Sequence, residues 1–573
     1  MPLRFPFGRR LQLIICGAAA LVFVLGLVAA SIITRPPATA KAAPARQPLC
    51  SVRPALCTET TDPWNYQGQY TGHDEPSLLF YSNVPGSGNS NLYNLTLPTD
   101  PPTLPKQDGT GGTWNFQLHP AFWFGMAMCD EQSAPLPGAT CTPDSDTNIH
   151  KSTNPHSADY MGNTPGTGFM EMQFYPPHWD SFGCNQTQWC AALNIDSFSE
   201  NSNTGVLNNA ACLNAAGEEY VNFAFITKSG TTVNQGPADP LDQTAGTFTP
   251  GTDTLYFNDG DQLSVDMHDT AAGFTVIIHD LTTGQTGSMT ASIANGFGHP
   301  LYQPNASSCT DQAYAFHPMY STSSPDTRVL WAAHSYNVAY SDEIGHFEYC
   351  TPNTPTAGRC SDPSGRDSDD RGCLSAPAGP NASGQFSTIT GCSASDGDFD
   401  GPEYQPNWPG TNPNPATDAL LHSTPIVFTS PLFTGPGNSG LFNYQQAAFE
   451  VNLPRIEGAD TSPNNDCQRH VFNPSDPNPG AGCINPPNGA SFYPIYTTGT
   501  ANGHCIWQEG GPYLPGTTNT FGGTSAAEYG PIQVSVYPTV PNPTTGQTTE
   551  GIYENFHNTL PNNPCPAPGG IGA

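Results

Sequence analysis

Residues 259–286 read DGDQLSVDMHDTAAGFTVIIHDLTTGQT, and this stretch decides the fold class. Its two arms, LSVDMHDT and FTVIIHDLTTG, carry the period-two alternation that a half-buried strand requires. A short turn at 271–273, ending on Gly273, folds the second arm back on the first as an antiparallel hairpin. The same short, β-branched and aromatic pattern recurs at 77–82, 114–118, 169–175, 220–227, 254–257 and 329–340. It resumes at 424–429, 447–453, 492–497 and 531–537.

Glycine and proline separate these segments. The chain has 60 prolines and 58 glycines in 573 residues, a density that suits tight turns and excludes long helices. No 3.6-residue period lasts beyond two turns. We therefore expect an all-β protein: an antiparallel, jelly-roll-like (concanavalin-like) β-sandwich over residues 49–350. Residues 351–416 hold three cysteines and many Gly, Ser, Asp and Pro, which reads as a long irregular insertion. Residues 417–573 are a C-terminal β region, either a second β-domain or the return half of the first sandwich.

The first 48 residues concern location. Residues 11–34 are predominantly apolar, with Gln12 and Cys16 inside the run and Ser31 and Thr34 at its end, and Arg9 and Arg10 precede them, as the positive-inside rule expects. This run is either an N-terminal membrane anchor or a signal peptide cut near Ala38-Thr39-Ala40, with 35–48 as an Ala/Pro linker. Either way the rest is secreted or anchored at the cell surface, and the membrane is met only through the N-terminal segment. All but one of the 17 cysteines lie past the run, leaving an even number for bridges in an oxidising compartment. The close neighbours Cys50 and Cys57, Cys129 and Cys141, Cys184 and Cys190, and Cys350 and Cys360 are expected to pair. A net charge of −32, with no Lys or Arg between Lys228 and Arg328, excludes nucleic acid and anionic membranes as partners. Self-repulsion of such a chain falls with pH, so it suits an acidic exterior.

The sharpest local motif is GFMEMQFYPPHW, residues 168–179. In a strand, Glu171, Gln173 and Tyr175 share one face and Met170, Met172 and Phe174 the other. The methionines face a core, and the polar row could offer a carboxylate to a cleft walled by His178 and Trp179. DEIGHFEYC, residues 342–350, places His346 and Glu348 on one strand face. Glu171 and Glu348 form the candidate catalytic pair, with Gln173 and His346 beside them, for peptide or glycosidic bonds. The acidic run His73-Asp74-Glu75 reads as a capped turn.

Asp396, Asp398, Asp400 and Glu403 set oxygen ligands at alternating positions around Gly397, the pattern of a structural Ca2+ loop. Asn407 stands where an EF-hand would have its bidentate glutamate. Residues 144–148, DSDTN, are a second such loop. His268, His279, His317, His334 and His346 raise a cupin-type transition-metal site, but its regular HxH spacing is absent. No GxSxG or CxxC motif occurs.

Asp280-Leu281-Thr282-Thr283-Gly284-Gln285-Thr286 resembles the N-x-T-x-G hairpin of the glutamic (eqolisin-type) acid peptidases. Glu171 ahead of Phe174-Tyr175-Pro176 resembles that family's aromatic-Glu-aromatic-Tyr-Pro strand. The resemblance covers roughly 120 residues and implies an acid-acting double-sheet sandwich that uses a Gln and a Glu. The chain is also similar to an uncharacterised family of secreted bacterial β-sandwich proteins at 124–130 and 449–457. Two functions are thus expected. One is a secreted acid-tolerant hydrolase of extracellular protein or polysaccharide. The other is a non-catalytic, calcium-stabilised carbohydrate-binding or adhesion protein.

Overall fold

The computed structural model describes chiefly residues 77–102, 121–149, 165–177, 184–233, 250–324, 331–335, 414–452, 496–509 and 555–572, with a few short strands between them. The N-terminal apolar run, its linker, residues 72–75 and most of the 351–416 insertion fall outside these. Among the described residues no helix is long and apolar enough to cross a membrane.

Strands dominate, and they form two large antiparallel sheets. β1 (Ser77–Tyr81) belongs to the larger sheet and β2 (Ser90–Thr96) to the smaller. β3 (Phe122–Cys129), β4 (Thr167–Tyr175), β5 (Trp189–Phe198), β6 (Glu219–Phe225) and β7 (Tyr256–Phe257) all join the larger. β8 (Gln262–Thr270), β9 (Gly273–Asp280) and β10 (Thr286–Thr290) return to the smaller. β11 (His317–Pro318) and β12 (Trp331–Ser335) re-enter the larger sheet. β13 (Val427–Phe428), β14 (Leu432–Thr434) and β15 (Leu441–Asn443) add to the smaller. β16 (Gln446–Asn452) goes to the larger, β17 (Tyr496–Ala501) and β18 (His504–Glu509) to the smaller, and β19 (Asn555–Leu560) to the larger.

The ten-stranded sheet runs β7-β5-β4-β3-β12-β1-β16-β19, with β6 on β5 and β11 on β3. The nine-stranded sheet runs β10-β9-β8-β2-β13-β18-β17, with β14 bridging β2 and β15. The strands after residue 417 therefore complete both sheets. β16 pairs β1, and β13 pairs β2. This is the second of the two arrangements open from sequence.

One core joins the sheets. Phe122, Phe124, Met170, Met172, Phe174 and Trp189 of the larger meet Tyr93, Leu263, Val265, Met267, Val276 and Phe428 of the smaller, all 1 % exposed or less. Phe122 stacks on Phe174 at 4.9 Å and Phe124 on Trp331 at 5.5 Å. The two sheets differ in their outer faces. Ser264, Asp266 and His268 on β8 are only partly buried, whereas β3 and β5 are buried on both faces throughout. That is why β3 and β5 read as near-continuous apolar runs.

Four bridges tie the described residues: Cys129–Cys141, Cys184–Cys190, Cys212–Cys309 and Cys505–Cys565. The first two match the expected local pairs. The latter two close loops of 97 and 60 residues, which spacing alone does not reveal. The expected pairs of Cys50 with Cys57 and of Cys350 with Cys360 lie outside the described residues. β2, β3, β5, β10, β14, β15, β18 and β19 were not anticipated from sequence.

Candidate active site on the outer face of the larger sheet

β4 alternates as its sequence dictates. Met170, Met172 and Phe174 are fully buried in the core, and Phe169, Glu171, Gln173 and Tyr175 take the opposite face. The register supplies neighbours. Glu171 lies between Gly125 on β3 and Asn194 on β5. Gln173 lies between Trp123 and Ala192, and Phe169 between Ala127 and Asp196. Glu171 and Asp196 are thus diagonal neighbours, about 7–8 Å apart by ordinary sheet geometry with their Cβ atoms somewhat closer.

Gly125 has a positional role here. A Cβ at this residue would sit 2.6 Å from the Trp123 ring and 2.6 Å from the Met170 carbonyl oxygen. Its absence lets the indole lie along the sheet, where it stacks on His334 at 3.6 Å. His334 Nδ1 in turn meets Ser77 Oγ at 2.6 Å.

The polar row is hydrogen-bonded in sequence. Tyr175 Oη and Asn194 Nδ2 both donate to Gln173 Oε1. Those two donors leave the amide nitrogen of Gln173 on the other side, where Nε2 donates to Glu171 Oε2. The orientation of the Gln173 amide follows from its neighbours. Glu171 and Gln173 remain partly accessible, while Tyr175 and Asn194 are 2 % exposed.

Asp196, 4 % exposed, completes the group. Burial pushes its carboxyl well above the ordinary aspartate range, and the charges of Glu171 and Glu219 push it further the same way. Burial likewise raises the Tyr175 phenol, with Glu171 and Asp196 adding to it. Among the described residues, Asp196 Oδ1, Asn194 Oδ1 and Trp123 Nε1 are buried without a hydrogen bond.

A second cluster lies at the sandwich rim, in a cleft of about 610 Å³ lined by Asn89, Asp144, Asp266, His268 and Asp269. Burial and then the Asp269 charge push Asp144 up to about 7. His317 Nδ1 is 2.8 Å from Asp269 and His268 Nδ1 3.0 Å from Asp266. Each of these hydrogen bonds raises its histidine above the ordinary value.

Of the residues singled out from sequence, Glu171 and Gln173 are adjacent and bonded. Glu348 opens a short strand, Glu348–Tyr349, paired with Ile389–Thr390 outside both large sheets, and its side chain lies outside the described residues. His346, His178, Trp179 and the calcium-loop residues Asp396, Asp398, Asp400 and Glu403 also lie outside them. In the 144–148 loop, Asp146 Oδ1 accepts from Thr322, and Asn148 Nδ2 donates to the Thr142 and Met319 carbonyls. Those groups pin a turn. Among the described residues no three His, Cys, Asp or Glu are placed to hold a metal ion. Of the histidines raised for a cupin-type site, His268, His279, His317 and His334 bond Asp266, Thr286, Asp269 and Ser77 respectively. Asp196 and Asn194 were missed, though WCAALNIDSF carries their signal: alternate residues Trp189, Ala191, Leu193 and Ile195 mark a core face and put Asn194 and Asp196 opposite.

Compared with protein-family models and with curated proteins, the chain matches none.

Proposed function

We propose that the chain is an extracytoplasmic, acid-acting peptide hydrolase whose working face is the outer side of the larger sheet around Glu171. One observation carries this reading: the Gln173 amide, fixed by Tyr175 and Asn194, is presented to the Glu171 carboxylate on a partly accessible sheet face. A Gln beside a Glu supplies the two functions that amide hydrolysis needs. Glu171 takes a proton from water as the water oxygen attacks the scissile carbonyl carbon. The carbonyl electron pair moves onto oxygen, and the second N–H of Gln173 Nε2 is free to donate to that oxyanion. Collapse of the tetrahedral species breaks the C–N bond, and the departing amine takes a proton.

The resemblance of the Glu171 strand to that of the glutamic peptidases supports an acid peptidase, as does an all-β architecture of two large sheets; that resemblance does not extend to the family's Gln motif. Disulfides and a sparse supply of basic residues suit an acidic, protease-containing exterior. The test is digestion of denatured protein and a polysaccharide panel by the full chain from pH 2 to 7, beside Glu171→Gln. Peptide products at acid pH that the substitution removes support the reading. Oligosaccharide products instead make the same carboxylates a glycosidase, and binding without turnover moves the chain to a carbohydrate-binding or adhesion protein.

A further inference from the structure

We propose that Asp196 is the catalytic acid of this site, giving its proton to the leaving amine while Glu171, its diagonal neighbour, accepts the proton of the attacking water. The inference rests on the hydrolase reading and adds the residue that reading lacks.

Three observations bring Asp196 forward. The register sets it on the same sheet face as Glu171, one diagonal away, with Asn194 between them. Its side chain is 4 % exposed, yet Oδ1 takes no hydrogen bond among the described residues. Asn194 Oδ1, beside it, is in the same condition. Buried polar groups are normally bonded within the fold, and two left open side by side point to an outside partner.

Asp130 shows the contrast within the same molecule. It is also fully buried, but His299 Nδ1 meets it at 2.7 Å and Ser133 Oγ donates to it at 2.5 Å. Burial alone would push its carboxyl up, yet the His299 charge and these hydrogen bonds hold it below the ordinary value. Asp130 is a structural carboxylate with its partners supplied. Asp196 Oδ1 is buried without a hydrogen bond, and the charges acting on the carboxyl are those of Glu171 on β4 and Glu219 on β6, both negative. The nearby phenol of Tyr175 is itself raised and stays neutral. Every influence keeps the proton on Asp196 beside Glu171.

The step balances. Water gives one proton to Glu171 and its oxygen to the carbonyl carbon. As the C–N bond breaks, the bond electrons stay on nitrogen and the Asp196 proton joins them. Glu171 then holds a proton and Asp196 a charge, and return of the proton from Glu171 to Asp196 restores the site.

The test compares wild type, Glu171→Gln and Asp196→Asn on a peptide and on a 4-nitrophenyl ester of the same acyl group, whose phenolate leaves without protonation. We expect Asp196→Asn to lower kcat on the peptide about 10²-fold or more, with KM unchanged. Ester hydrolysis should stay within about threefold of wild type, and the high-pH limb of the peptide profile should vanish. Glu171→Gln should abolish both reactions. Equal loss on both substrates in Asp196→Asn, or peptide turnover within about twofold of wild type, overturns the role of Asp196 alone. Full activity in Glu171→Gln, or no hydrolysis by wild type, overturns the hydrolase reading and the acid role with it.

Discussion

At the residue scale, Gln173 depends on two donors. Tyr175→Phe removes one of them, leaves the ring packed against Phe223, and frees the Gln173 amide to turn. We expect kcat to fall about fivefold with KM little changed, a hydrogen bond of this kind contributing about 1 kcal/mol. Steady-state kinetics on one peptide checks it. Asp144 yields a prediction about stability. Its carboxyl is raised to about 7, so the folded state holds a proton the unfolded chain releases near pH 4. That contribution is complete below the unfolded value and is lost as pH rises through about 7. Urea midpoints of wild type should therefore drop between pH 4 and 8, and Asp144→Asn should flatten the drop. The part due to His268 and His317, also raised, will remain because it has the same sign. An identical pH slope in the variant refutes the assignment.

At the element scale, the β8–β9 hairpin was fully legible. Its alternation fixes which residues enter the core, and Gly273 marks the turn. Gly273 has φ of 133°, and a Cβ there would lie 2.3 Å from the Ala291 carbonyl oxygen. Gly273→Ala should destabilise by about 2 kcal/mol or more, measured by urea unfolding. The next turn explains the DLTTG sequence. Asp280 Oδ1 accepts from the Thr282 and Thr283 amides, and Gly284 takes a left-handed φ of 76°. This motif, the basis of half the peptidase resemblance, thus builds a turn. Asp280→Ala should cost about 1–3 kcal/mol of stability, because two amides and a hydroxyl lose their acceptor. β5 was less legible for a physical reason. A strand buried on both faces loses the apolar-polar contrast that identifies a strand, and Ala191 and Ala192 weaken it further.

At the scale of the whole molecule, what sequence conceals is register. Glu171 and Gln173 are two residues apart and were visible together. Asp196 joins them only because β5 aligns Asn194 with Glu171, and Asp144 meets Asp269 only through folding of distant segments. The expectation of a Glu171–Glu348 pair came from strand patterns alone, which carry no record of which strands are neighbours. The long bridge Cys212–Cys309 was hidden for the same reason. Removing it by Cys212→Ser with Cys309→Ser should cost about 2–5 kcal/mol, read by denaturant unfolding. The chemistry of the site depends most on one proton, held by Asp196 next to Glu171. An infrared difference spectrum between wild type and Asp196→Asn at pH 6 reads it directly. The carbonyl band of a protonated carboxyl, present in wild type and missing in the variant, is the predicted result. A carboxylate band lost in its place would contradict the assignment of Asp196 as the acid.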